Sequence, residues 1–150
     1  MITINPDKTD MLMDALTLLW EKSVRATHHF LAEEDIQALV PVVRRGLSGV
    51  GTLVVACDGH TPVAFMGIDA DKLEMLFVAP GYFGKGIGRK LAELGIVRYG
   101  VRYVDVNEQN PQALGFYRCL GFEVFERTEL DGQGNPFPLL KMKLYGKERE

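Results

Sequence analysis

Cysteine is scarce in this chain: Cys57 and Cys119 are the only two among 150 residues, and neither sits at a short metal-ligand spacing. A disulfide framework needs more than that, so the fold has to be held by an apolar core. Two isolated thiols also suit a reducing compartment, and a cytoplasmic protein is expected. No apolar run approaches the roughly 20 residues that cross a bilayer. The opening Met1-Ile2-Thr3-Ile4-Asn5 lacks the basic-then-apolar order of a secretory leader. A surplus of one charge is missing too: 17 Lys and Arg against 20 Asp and Glu leave a net charge of −3. That balance gives no general attraction to nucleic acid or to an anionic membrane, and neither is expected as a partner. Internal repeats and low-complexity linkers are also absent. The composition that remains, 47% hydrophobic and 25% charged, is that of an ordinary globular protein, and the length suits one domain over 1–150.

The most informative stretch runs from Lys72 to Lys90. Lys72-Leu73-Glu74-Met75-Leu76-Phe77-Val78 is rich in large apolar and β-favouring residues and is stopped by Pro80-Gly81, which predicts a buried strand. Beyond it, Ile87, Leu91 and Leu94 recur at helical spacing. Between strand and helix lie Gly84, Gly86 and Gly88 at alternate positions, with Lys85, Arg89 and Lys90 close by. Glycines let a ligand approach the main chain, and the first amides of a helix have no internal partner, so the loop can cradle an anion such as phosphate. A Walker-type site would need Gly-Lys-Ser/Thr, but Ile87 follows Gly86. A dinucleotide fingerprint would need glycine where Arg89 stands, although Asp105 lies at the distance of that motif's ribose-binding acid.

Around this stretch the pattern alternates α and β. Residues 1–5 read as a strand ended by Pro6. Asp10 is placed to cap a helix with an inward stripe of Leu12, Leu16 and Leu19, running to about Thr27. A break follows at Thr27-His28-His29-Phe30-Leu31. A second helix opens on Glu33-Glu34-Asp35, where negative charge suits its dipole; Pro41 should kink or divide it, and 46–51 should end it. Residues 52–57 and 63–68 form a hairpin across Asp58-Gly59, and 69–71 turn into the central strand. Gly100 closes the glycine-loop helix, 103–106 form the next strand, and Asn110-Pro111 start a helix. Its Ala113, Phe116, Tyr117 and Leu120 line one face and Gly121 ends it. Residues 124–130 and 139–144 make the last two strands.

Val78-Ala79-Pro80-Gly81-Tyr82-Phe83-Gly84-Lys85-Gly86-Ile87-Gly88-Arg89 resembles the acetyl-CoA loop of the GNAT N-acetyltransferases, Arg/Gln-x-x-Gly-x-Gly/Ala after a strand. Asn110-Pro111-Gln112-Ala113-Leu114-Gly115-Phe116-Tyr117, with Gly121-Phe122, resembles the family's second block, and the first half is similar to a YjaB-like bacterial branch. One departure is plain: Phe83 stands where the family has Arg or Gln. The resemblance implies an α/β fold of the α+β kind. Its central sheet would be mixed and mostly antiparallel, with about 6–7 strands flanked by about four helices and splayed between the fourth and fifth strands. It implies an acetyl-CoA-dependent N-acetyltransferase acting on a primary amine of a small molecule, peptide or protein. Acetyl-CoA would be the cosubstrate, without a metal, and the enzyme a monomer or homodimer.

By that resemblance the cofactor contacts Leu76, Phe77, Val78, Gly84, Lys85, Gly86, Ile87, Gly88, Arg89, Asn107, Asn110, Phe116 and Tyr117. A backbone amide near Phe77 polarises the acetyl carbonyl, and the Tyr117 phenol protonates the departing thiolate; a pKa of about 10 is close enough to an alkyl thiol's for that exchange. Without the resemblance, Phe116-Tyr117 on an inward helix face is core, Asn110 is a helix cap, and Asn107 is a turn residue. Three groups could serve as base, and the letters do not choose among them: Glu74 acting through water, His28 and His29. Bulk solvent could equally deprotonate the amine. His28, His29, Phe30 and Phe137, with Trp20, are expected around the acceptor. The alternative reading is a non-catalytic acyl-CoA-binding or sensing module; a third, a flavodoxin-like or dinucleotide-binding domain, would respond to FMN or NAD.

Overall fold

The structure, a computed structural model, describes residues 1–145. Its strands are β1 (Ile2–Ile4), β2 (Thr52–Asp58), β3 (Thr61–Asp69), β4 (Lys72–Val78), β5 (Tyr103–Asn107), β6 (Phe122–Thr128) and β7 (Leu139–Leu144). Its helices are α1 (Asp10–Thr27), α2 (Glu33–Gly49), α3 (Ile87–Tyr99) and α4 (Pro111–Cys119). The strands form one sheet in the order β1-β2-β3-β4-β5-β7-β6. All neighbours run antiparallel except β4 and β5, which α3 connects by a crossover. Strand and helix numbers agree with the expectation from sequence.

The sheet is sandwiched between two helix pairs. On one face α1 and α2 cover Phe65 and Val55 with Met13, Leu16, Trp20 and Leu47. On the other, Leu91 of α3 and Tyr117 of α4 pack on Met66, Val104 and Phe122. Trp20 is therefore core, 3% exposed, and not a wall of an acceptor pocket. Two local expectations also change. Thr9, not Asp10, caps α1, its hydroxyl accepting from the Leu12 amide; Asp10 supplies first-turn charge instead. Pro41 does not divide α2, which runs on past it to Gly49.

Two irregularities of β4 create the site. On β3, Gly67 and Ile68 are consecutive, yet their partners on β4 are Met75 and Leu73. Glu74 is thus an extra residue, a bulge that reverses which face each later side chain takes. Leu73 belongs to the core under α3 and α4, and so do Leu76 and Val78 beyond the bulge, whereas Met75 and Phe77 pack toward α1 and α2. The second irregularity lies on the opposite edge. Pairing of β4 with β5 stops after Lys72↔Tyr103 and Leu73↔Val104, so the strands part as a fork. For this reason β4 is half-buried along most of its length and not the fully buried strand its composition suggests.

Candidate active site

The fork holds a cleft of about 380 Å³. Residues 73–78 and 104–107 form its two sides, with Ser23, Thr27 and His28 from the end of α1 and Asn110, Gln112, Ala113, Phe116 and Tyr117 from α4. A second concavity of about 360 Å³ lies over the glycine loop, lined by Gly84, Gly86, Ile87, Gly88 and Arg89. The two share Val78, Phe83, Gly88 and Phe116, so they form one continuous channel.

The glycine end has the backbone an anion needs. Gly84 and Gly86 lie at φ of +74° and +81°, in the left-handed region that favours glycine. Gly86 caps α3, and the first intrahelical bond runs from the Lys90 amide to the Gly86 carbonyl at 3.0 Å. The amides of Ile87, Gly88 and Arg89 are therefore without helical partners. Upstream, the loop leaves β4 through a short 3-10 turn (Pro80–Tyr82), which the Tyr82 hydroxyl ties to the β2–β3 hairpin by donating to Asp58 Oδ2 at 2.5 Å. Of the three nearby cations only Arg89 lines the concavity, and it also pairs with Glu93 at 3.5 Å. Lys85 stands over the Tyr82 ring, 5.3 Å from its centre. Phe83 puts an aromatic ring at the junction of the two concavities.

Along the fork, the ladder decides which amides are free. The Ala79 amide donates to Val63 O at 2.8 Å. Hydrogen-bonded pairs alternate in an antiparallel ladder, so Phe77 bonds its partner Phe65 in the same way. The amides pointing into the fork belong to Leu76 and Val78, where β5 no longer pairs. The amide near Phe77 expected from sequence is thus one residue to either side of it.

Tyr117 is 8% exposed and edge-on to Phe116 and Phe122. Burial pushes its phenol pKa well above the ordinary value, so it keeps its proton through neutral pH, and the match to an alkyl thiol expected from the ordinary value is lost. Asn110 caps α4 by accepting from the Ala113 amide at 3.2 Å. Asn107 turns the chain by accepting from the Gln109 amide at 2.9 Å, and it also lines the cleft.

His28 is locked in one form. The Thr27 hydroxyl donates its only proton to Ser23 O at 2.8 Å, so toward His28 Nδ1, 2.7 Å away, it accepts. Nδ1 therefore carries the hydrogen. Nε2 then accepts from the Asn110 side-chain amide at 3.4 Å, an orientation fixed because the other end of that amide is the cap. Burial, with the neighbouring His29 second, lowers the His28 pKa. His29 is not among the residues lining the fork; with Phe30 it borders an adjoining hollow beside Gln109 and Pro111, which shares Thr27, Asn110 and Gln112 with the fork. The Phe30 ring lies tilted against His28 at 5.4 Å and against Phe137 at 6.0 Å; neither phenylalanine lines the fork, where both were expected around the acceptor. Two residues at the fork were not among those expected from sequence to act there: Lys72, and Asp105, considered only as a ribose-binding acid. Their meeting depends on strand pairing, which leaves no mark at short range. Among the described residues no group of His, Cys, Asp and Glu could hold a metal ion, and no helix is long and apolar enough to cross a membrane.

A sequence model of the acetyltransferase (GNAT) domain matches residues 25–124. The peptidyl-lysine N-acetyltransferase YjaB of Escherichia coli K12 is 38% identical over 133 residues, 89% of this chain and 90% of YjaB. The solution structure of apo-form YjaB from Escherichia coli superposes with a TM-score of 0.83, at 37% identity, over 95% of this chain and 97% of that one. The PaiA N-acetyltransferase of Thermoplasma acidophilum, solved with coenzyme A, shares the fold at a TM-score of 0.67 and 23% identity, covering 97% of this chain and 99% of that one.

Proposed function

Because this chain belongs to the GNAT family of acetyl-CoA-dependent N-acetyltransferases, we propose that its acceptor is the side-chain amine of a lysine in a peptide or protein, reached by direct transfer in a ternary complex. One domain over 1–150 does the work, of which 146–150 lie outside the described residues. The observation that carries the reading is the adjoining pair of concavities: a cradle of unpaired amides at one end, a fork with free strand amides beside it, and a protonated phenol on the wall of the fork.

The residues fit the cosubstrate. The amides of Ile87, Gly88 and Arg89, with the Arg89 guanidinium, hold the diphosphate. They would do so without a cation at Phe83, which lines both concavities where the arm would pass from loop to fork. Lys85 and Lys90 lie outside the concavity and add only to the local field. The Val78 amide would be free to pair with the pantetheine arm and the Leu76 amide to donate to the thioester oxygen, where negative charge would grow. Asn107 and Phe116 flank the arm. Acetyl-CoA supplies an acyl group activated as a thioester. Tyr117 would give its proton to the sulfur as the C–S bond breaks and the C–N bond forms, and would regain one from the second proton shed by the acceptor nitrogen.

Glu74 accepts the proton of the incoming ammonium, directly or through water. The support is a comparison of the three side chains: Glu74 lines the fork, whereas the only free lone pair of His28 faces Asn110 and His29 borders the adjoining hollow. His28, Phe30 and Phe137 then shape the acceptor's entrance, and His29 borders its outer edge. The acceptor follows from the likeness to a peptidyl-lysine enzyme. Two unlinked thiols and bacterial relatives suit a bacterial cytoplasmic enzyme.

The test is acetyl-CoA turnover with a lysine-containing peptide, read as released thiol, in wild type and Tyr117→Phe. A loss of general acid catalysis lowers kcat by about 10²-fold or more. The affinity for acetyl-CoA, measured by calorimetry, should be nearly unchanged. Binding without thiol release in the wild type, with this peptide or a panel of other amines, would favour the sensing module instead.

A further inference from the structure

Two concavities adjoin the fork, and the cradle accounts for only one of them. The other is the hollow of about 320 Å³ beside His29, which shares Thr27, Asn110 and Gln112 with the fork and no residue with the cradle. One of its walls is the end of α1 with Phe30, and the other is the start of α4 with Gln109 before it. The contact of His28 with Asn110 ties the two walls together, so the hollow is formed before anything enters it. None of its lining residues is Asp, Glu, Lys or Arg. The charged residues next to them in the chain are already engaged, Arg25 with Glu21 and Glu33, and Glu108 with Arg127. Nor does the start of α4 make an anion site here, because Pro111 has no N–H and the Ala113 amide is taken by the Asn110 cap. What the hollow offers instead is the Phe30 ring and the side-chain amides of Gln109 and Gln112, which have no hydrogen-bond partner among the described residues.

We infer, resting on the reading of the acceptor as a peptide lysine, that this hollow holds the residue beside that lysine and favours an uncharged aromatic side chain there over a charged one. A lysine that reaches into the fork on its four-carbon stem leaves its own main chain at the rim and its neighbours beyond it. With the cradle given to the diphosphate, the concavity left at that rim is the hollow, entered past Thr27, Asn110 and Gln112. Each glutamine amide carries both donors and an acceptor, so the pair can bond the N–H and C=O of an extended peptide. An aromatic side chain gains contact with the Phe30 ring. A charged one would give up water and find no counter-ion among the lining residues. The volume is at the small end for a ligand site, which suits a single residue.

The test compares tripeptides X-Lys-X, blocked at both termini, with X as Phe, Gly or Glu, and a single lysine blocked at both ends. Placing the same residue on both sides removes the direction of the peptide as a variable. The readout is kcat/KM for the acceptor at saturating acetyl-CoA, in about 0.15 M salt to screen the fork's own carboxylates. In wild type the Phe peptide should exceed the Gly peptide by roughly three- to tenfold, and the Glu peptide by at least as much. Ala26→Phe fills the hollow from the last turn of α1, where Ala26 is exposed and lines the hollow but not the fork. It should bring the Phe-to-Gly ratio close to one, with the dissociation constant for acetyl-CoA, read by calorimetry, unchanged. Those two results together support the subsite. Equal use of the three peptides by wild type, or a preference for Glu, overturns it and leaves the lysine acceptor standing; so does a preference for Phe that survives Ala26→Phe. Weaker acetyl-CoA binding by Ala26→Phe would give the hollow to the cofactor and overturn it as well. If neither the peptides nor the blocked lysine release thiol while another amine does, the lysine acceptor fails, and the subsite with it.

Discussion

At the scale of residues, His28 shows how few atoms settle a protonation state. A second proton on Nε2 would point a hydrogen at the Asn110 amide, whose own orientation is fixed by its cap bond. The folded pKa is lowered, so the unfolded chain takes up a proton first as pH falls. The stability tied to neutral His28 is complete above the ordinary histidine value of about 6.5 and is lost as pH falls through the folded value. Thermal melts between pH 7.5 and 5 should thus show a steeper fall for wild type than for His28→Gln, which keeps an amide at that place; parallel curves would contradict the lock. None of this is legible in the letters Thr27-His28-His29. The choice between the histidines depends on Ser23 one turn back and on Asn110, 82 positions away in the chain. Tyr117 was more legible, because its place on the inward face of α4 beside the fork follows from a block of residues on a single short helix.

Among the elements, those encoded locally were readable and those encoded by pairing were not. The loop of glycines and the Asn110-Pro111 helix start carry their conformations in neighbouring residues, and the structure has them where the sequence puts them. The bulge at Glu74 and the turning of the Leu76 and Val78 amides into the fork arise from the register of β4 against β3, which alternation along one strand cannot reveal. Gly86→Ala tests the loop directly. A side chain at φ +81° costs about 1–2 kcal/mol. Relief of that strain would tilt the amides of Ile87, Gly88 and Arg89, so acetyl-CoA affinity should fall about tenfold; an unchanged dissociation constant would mean the cradle is not used. Pro41 is the converse case, an exposed helix interior that ran on past an expected break. Having no N–H to give the Gln37 carbonyl, it costs the helix about 3 kcal/mol relative to alanine, offset by up to about 1 kcal/mol from a stiffer unfolded chain. Pro41→Ala should therefore raise the melting temperature by roughly 4–12 °C with turnover unaffected.

On the scale of the whole molecule, the site exists because a single parallel pair interrupts an otherwise antiparallel sheet. The α3 crossover that makes β4 and β5 parallel also delivers its own unpaired N-terminus to the end of β4, so the phosphate cradle and the fork arise from one connection. The other helix pair borders the cleft through the end of α1, with Ser23, Thr27 and His28. The most direct test of this account is a map of backbone amide shifts when acetyl-CoA is titrated into the free protein. The account predicts the largest changes at Leu76 and Val78, at Gly86, Ile87, Gly88 and Arg89, and at Asn107 and Phe116, with the Phe77 amide moving less than its two neighbours. Largest changes in the hollow beside His29 and Gln109, or a Phe77 shift exceeding those of Leu76 and Val78, would contradict it.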